Sequence, residues 1–304
     1  MSDESVITPY CAEVSRLAEA SPAGTATEAS WWVLLEVNQP WSADVVKENK
    51  LPPAVQAWLT GVGAAGGRAL FIRQFGRIDA FLRCYVAVAA EDDQRLYRFD
   101  LADYADLLRL DLTALRRGAK YAEQLSAERL TLVCTNGKRD RCCARFGADL
   151  YRNWLPTADD TLWQSSHQGG HRYAAVALWL PEGAQYGYLR PEDGATLQAA
   201  RQQDELWLER LRGRTYYPPA AQAAEAHLRQ AWGLRGLSAL RLLEAVEPTA
   251  GAWRVRFQMT DGRVVVIDLR QETNSAELVG CSPAKYKPTV TFSVQTVTAG
   301  APNG

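Results

Sequence analysis

Leu130-Thr-Leu-Val-Cys134-Thr-Asn-Gly-Lys-Arg-Asp140-Arg-Cys142-Cys143 is the stretch on which the fold turns. Its first five residues form a short apolar run of buried-strand type. A basic loop follows, and residues 144–155 then show the spacing of an amphipathic helix. Three of the six cysteines fall in this segment. Just downstream, His167-Gln-Gly-Gly-His171 holds two of the three histidines. Thiolate and imidazole are the side chains that soft and borderline metals prefer, so their concentration here points to a metal or iron–sulfur centre.

Working outward, the same order of elements occurs twice. Residues 31–37 read as a strand, 54–60 as a helix, 69–73 as a strand, and 84–90 and 95–99 as a hairpin. A helix-rich section spans about 102–126. In the second half, 130–134, 144–155, 161–164, 172–180 and 185–189 repeat strand, helix, strand and hairpin, with a long helix expected over 194–212. The fold class is therefore α/β, read as two thioredoxin-like units of which only the second carries ligands. Residues 1–126 and 127–215 are the two units. Residues 216–304 form a small α+β extension, with a helix at 220–232, a hairpin of 253–259 and 263–269 around Asp261-Gly262, and a loose tail at 297–304. Trp31, Trp32, Trp163 and Trp179 are expected in the core.

Composition narrows the function. The chain has 304 residues, 47% of them apolar, and a net charge of −1, which suits a folded protein rather than one drawn to nucleic acid or to anionic membrane. The acidic start, Met1-Ser-Asp-Glu-Ser, is not followed by the apolar run of a signal peptide, and no apolar stretch reaches membrane-spanning length. Six cysteines in so long a chain do not make a secreted disulfide framework, and reduced thiols in the cytoplasm are the expectation.

The histidine pair is not the helical zinc-protease signature, which needs Glu after the first His, and paired glycines disfavour a helix interior. A Gly-Gly loop can instead fold tightly and bring both imidazoles to one centre. The cysteine loop leaves a strand end and enters a helix, where Lys138, Arg139, Arg141 and Arg145 favour thiolate. Cys11, Cys84 and Cys281, each isolated, read as ordinary buried cysteines. Structural zinc usually draws on a tight C-x₂₋₄-C knuckle, whereas Cys134 and Cys143 are widely spaced. A two-iron cluster suits ligands on two separated loops, and mixed Cys/His ligation occurs in Rieske-type centres.

These segments resemble the sucrase/ferredoxin-like family: Leu132-Val-Cys134 through Asp140-Arg-Cys-Cys143-Ala-Arg-Phe-Gly, then His167-Gln-Gly-Gly-His171-Arg-Tyr-Ala. The likeness extends to Cys11-x-x-x-Ser15-Arg16, Arg214-Thr-Tyr-Tyr217-Pro and Gly280-Cys281-Ser282. It implies a thioredoxin-like ferredoxin holding one [2Fe–2S] cluster through Cys134, Cys143, His167 and His171, with Cys142 as the rival to Cys143. Asn136 stands where the family often has His, a departure that leaves ligation untouched. Arg139, Arg141 and Arg172 would then lie around the cofactor, favour its reduced state and steer an acidic docking face of a redox partner, such as a reductase. The expected role is electron transfer or redox sensing rather than catalysis. The alternatives are a structural Cys₂His₂ zinc protein, a thiol-based peroxidase or reductase, and a sucrose-cleaving hydrolase. The last needs paired carboxylates, and Asp140, Asp149, Glu182 and Asp193 show no such context.

Overall fold

The computed structural model describes residues 9–158, 160–281 and 283–300. The acidic Met1–Ser5 segment, Ser282 and the last four residues of the expected tail lie outside them. The fold is α/β, with a nine-stranded mixed sheet and a second, four-stranded antiparallel sheet.

After a short helix α1 (Cys11–Leu17), the first half comprises β1 (Trp31–Glu36), α2 (Pro53–Ala64), β2 (Arg68–Arg73), β3 (Leu82–Ala89) and β4 (Gln94–Leu101). Strand β1 is buried on both faces, which explains its continuous apolar run. Trp31, Val33 and Leu35 pack with Val55 and Leu59 of α2, while Trp32 and Leu34 face the opposite core. Proline opens α2, where a missing N–H costs nothing. The helix-rich section after β4 holds only short 3₁₀ turns and α3 (Leu112–Arg117).

The second half comprises β5 (Leu130–Cys134), α4 (Ala148–Trp154), β6 (Leu162–Ser165), β7 (Ala177–Leu180) and β8 (Ala184–Tyr186). In each half the first strand pairs parallel with the second and antiparallel with the third, and the third pairs antiparallel with the fourth. With β9 (Leu211–Arg214) at one edge, the sheet order is β4-β3-β1-β2-β6-β5-β7-β8-β9, so the halves meet back to back at the β2–β6 pair. Trp32, Leu34, Tyr85, Leu132, Trp163 and Leu178 form one core shared by both halves, and Trp179 packs with α4 on the other face. Truncating Leu34, fully buried there, would cost ~2–5 kcal/mol.

Three expectations are corrected. Residues 172–180 are not one strand: His171–Tyr173 is a 3₁₀ turn and β7 begins only at Ala177. The long helix over 194–212 is instead α5 (Gly194–Gln202), followed by β9 (Leu211–Arg214). Asp204 takes a left-handed backbone (φ 53°) that ends helical geometry, and only a 3₁₀ turn, Leu208–Arg210, intervenes before β9. Finally, residues 297–299 are not a tail. After α6 (Pro219–Trp232), the second sheet runs β10 (Leu240–Thr249), β11 (Ala252–Met259), β12 (Val264–Cys281) and β13 (Ala284–Ala299), with Val297 opposite Ile267. Strand β13 is an exposed edge, so it lacks the one-sided apolar pattern by which strands are recognised.

Helix α6 buries Glu225 between Arg214 of β9 (2.7 Å) and Arg229 (2.8 Å), and Arg214 also donates to the Leu240 carbonyl of β10 (2.8 Å). Its apolar face packs on Val255, Phe257 and Ile267.

Candidate metal centre

Cys134 is the last residue of β5, with its N–H on the Val176 carbonyl (3.1 Å). The loop of residues 135–142 then turns into a π-helical segment, Cys143–Gly147, that leads into α4. Gly147 is required here: a Cβ would lie 1.9 Å from the Cys134 carbonyl oxygen. The absence of a side chain lets the helix start lie against the strand end, bringing Cys143 to Cys134.

The second loop follows β6. Gly169 and Gly170 have φ of 95° and 74°, and a Cβ on Gly170 would strike the Arg212 guanidinium at 2.2 Å. Glycine therefore supplies both the left-handed backbone and the room. The loop is tied down by Thr27 Oγ1, which donates to the Gln168 carbonyl (2.7 Å), and by Gln168 Nε2, which donates to the Leu132 carbonyl (2.8 Å) and Ser165 Oγ (2.7 Å). Arg212 donates to the Gly169 carbonyl (3.1 Å) and to Thr25. Burial holds its pKa down at about 10. No sequence motif marks Thr27 or Arg212, and Gln168 stands inside the His motif without its side-chain role being legible there; these roles are visible only once the loop is folded.

The two loops converge. His167 Nδ1 lies 3.9 Å from Cys134 Sγ and 3.8 Å from Cys143 Sγ, and the three ligand atoms fall within 4.8 Å of one another. Both cysteines are buried. The neighbouring Cys143 S–H, with His167 beside it, holds Cys134 well below the usual thiol range. The same contact pushes Cys143 up, so the pair carries one thiolate readily. His171 is one ring further out, with Nδ1 3.5 Å from His167 Nε2. Its Nε2–H donates to the Val279 carbonyl (2.5 Å), which leaves Nδ1 as the nitrogen with a free lone pair. Burial depresses the His171 pKa despite Asp140 nearby, so the ring is neutral at physiological pH.

Cys142, adjacent to Cys143 in sequence, points elsewhere. Its Sγ lies 3.4 Å from Cys11 Sγ and 3.4 Å from Cys281 Sγ. Cys11, Asp140, Cys142 and Cys281 form a second buried group whose ligand atoms also lie within 4.8 Å of one another. The reading of Cys11 and Cys281 as isolated core cysteines is thus corrected: both belong to a cluster. Cys84 is buried without a nearby thiol partner among the described residues, and burial pushes it up to about 12.

The three arginines expected around the cofactor differ in setting. Arg139 is exposed on the loop. Arg141 donates to the Pro9 carbonyl (3.1 Å) and stacks over Tyr10. Arg172 is buried, with Nε on Ser15 Oγ (3.1 Å) and Nη2 on Glu277 (2.5 Å).

Fold and side chains together define an α/β protein with buried Cys/His and Cys/Asp groups able to hold metal ions. More particularly, the chain belongs to the sucrase/ferredoxin-like family, whose sequence profile matches residues 22–213. No match is found among curated proteins or among solved structures. No helix among the described residues is long and apolar enough to cross a membrane.

Proposed function

We propose that the chain binds one [2Fe–2S] cluster through Cys134, Cys143, His167 and His171 and serves as a one-electron carrier or redox sensor. The observation that carries this reading is the convergence of two buried thiols and an imidazole nitrogen, with a second imidazole in contact. The donor set fits such a cluster. Soft thiolates suit iron–sulfur chemistry, and His171 has the carbonyl-oriented ring of a metal ligand. When bound, the cluster would supply one-electron redox chemistry at a potential raised by its two neutral ligands. Rieske-type centres span about −150 to +300 mV, against about −400 mV for all-cysteine plant-type ferredoxins. The chain's own part is to hold Cys134 as thiolate, to fix His171 through Val279, and to keep the thiols from water.

The repeated strand order supports reading residues 1–126 and 127–215 as two thioredoxin-like units, with 216–304 as an extension. We place the protein in the cytoplasm. Its partner is a redox protein with an acidic docking face, met by the exposed Arg139 and the part-exposed Arg141. Sucrose hydrolysis finds little support. Glu182 is buried against Arg201 (2.8 Å) and Arg129 (2.5 Å), and Asp140 is engaged by Cys142 and Cys281.

One observation favours a second reading, a single zinc ion. The separations of 3.8 and 3.9 Å around His167 Nδ1 approach the edge of a tetrahedral site, about 3.5–3.8 Å for zinc with sulfur and nitrogen ligands. Anaerobic purification with visible absorption and counts of iron, acid-labile sulfide and zinc separates the two. A coloured protein with equal iron and sulfide supports the cluster; a colourless one with zinc at this site and no sulfide overturns it.

A further inference from the structure

We infer that Cys11, Cys142, Cys281 and Asp140 form a second, closed metal site that takes zinc, separate from the His-containing centre. Three thiols from α1, the loop before α4 and the end of β12 meet at one point. They come from segments 131 and 139 residues apart, outside any local motif. Their exposures are 0%, 0% and 4%, and Asp140 is at 2%. Cys11 and Cys281 both lie outside the residues matched by the family profile.

The geometry suits one ion. Sγ–Sγ separations are 3.4 Å for Cys11–Cys142 and for Cys142–Cys281, and Asp140 Oδ1 lies 3.0 Å from Cys281 Sγ. These are slightly tighter than the edges of a tetrahedral sulfur and oxygen site, about 3.5–3.8 Å, so a small outward movement of each ligand admits the ion. Asp140 is already fixed for the role. Its Oδ1 accepts the Cys142 N–H (2.9 Å), and its Oδ2 accepts the Cys281 N–H (3.0 Å). Burial opposes its charge, but the Cys281 S–H, those two N–H bonds and nearby His171 together hold the carboxylate below the usual range. Binding releases the three S–H protons to solvent and leaves the carboxylate as the fourth donor.

The surroundings distinguish this site from an open, catalytic one. Ala12, Ala174 and Leu278, with Tyr10, Val14 and Phe146, pack around it as an apolar shell. Arg141 stands beside Cys281 and offsets the negative charge that three thiolates bring. A disulfide would satisfy only two of the three sulfurs. A zinc ion satisfies all of them and staples both ends of the chain to the loop that bears Cys143.

The inference does not depend on the iron–sulfur reading, and its test keeps the two apart. The full chain is purified from zinc-supplemented culture, dialysed against chelator, and assayed for zinc, iron and visible spectrum beside C11S/C281S. One retained zinc per chain is expected. In C11S/C281S it should fall by at least the roughly tenfold that even an outer-shell change produces, with the visible spectrum kept. Wild-type zinc no higher than in C11S/C281S overturns the proposal. So does an intact mass lower by two hydrogens, which would reveal a disulfide. Should C11S/C281S fail to fold, zinc-edge X-ray absorption on the unmodified protein decides. Three sulfurs at about 2.3 Å with one oxygen at about 2.0–2.2 Å supports the site, whereas two sulfurs with two nitrogens places zinc at the His-containing centre and overturns it.

Discussion

The two halves of the nine-stranded sheet use the same two places for different chemistry. In the second half, the end of the first strand is Cys134 and the loop after the second strand carries His167 and His171. In the first half, the corresponding strand end is Glu36 and the corresponding loop carries Arg77, 3.5 Å from it. Glu36 also accepts the Arg83 N–H at 2.8 Å and is 2% exposed. One scaffold thus closes the gap at its strand ends with an ion pair on one side and with thiols and imidazoles on the other. The difference teaches that the topology makes a buried junction there and that the residues placed in it decide whether it is structural or metal-binding.

Four outcomes test this contrast. The largest effect belongs to Cys134→Ser, which should abolish visible colour and bound iron, while Cys142→Ser keeps both; equal loss in the two variants would erase the distinction between the neighbouring cysteines. Next, His167→Cys replaces a neutral ligand by a thiolate and should lower the midpoint potential by on the order of 100 mV or more, read by redox titration. An unchanged potential would remove His167 from the ligand set. On the other side, Glu36→Gln should leave the spectrum intact and cost ~1–2 kcal/mol in urea unfolding, since it weakens buried hydrogen bonds without deleting them. A bleached spectrum would show that the first half takes part in the centre.

The smallest effect is a pH dependence in the second half's own ion pair. Burial alone would raise the Glu182 pKa, but Arg201 and Arg129 outweigh it and hold the carboxyl below its ordinary value. A depressed carboxyl contributes stability that is fully present above its unfolded pKa of about 4.3 and is lost as pH falls through the folded value. Unfolding midpoints of wild type should therefore drop more steeply than those of Glu182→Gln below about pH 4. Parallel curves would contradict the assignment.

Much of this was legible before folding. Strands β1 and β5 announced themselves by apolar runs and the β3–β4 hairpin by its turn, and the Cys and His loops by residue type and by the paired glycines. The partition of Cys142 and Cys143 was not, because adjacent residues in a helical turn point about 100° apart and only tertiary packing says at what. Cys11 and Cys281 looked isolated because their partners are far away in sequence. Arg212 and Thr27 act through carbonyls of the His loop, and backbone acceptors leave no trace in side-chain patterns. Two residues past the end of α5, Asp204 is left-handed but of a residue type that helices tolerate, so periodicity alone ran past it.

The hydrogen bond from His171 to Val279 spans 108 residues. Its consequence concerns biosynthesis. While a ribosome is still making the chain, Cys134, Cys143 and both histidines emerge well before the carbonyl that orients His171. At roughly 5–20 residues per second, the interval is about 5–20 s. During that time His171 lacks the acceptor that orients it, and the contact forms only after β12 has been made. Orientation of His171 is thereby tied to synthesis of β12, and a product lacking that strand would present the same Cys and His side chains without this hydrogen bond.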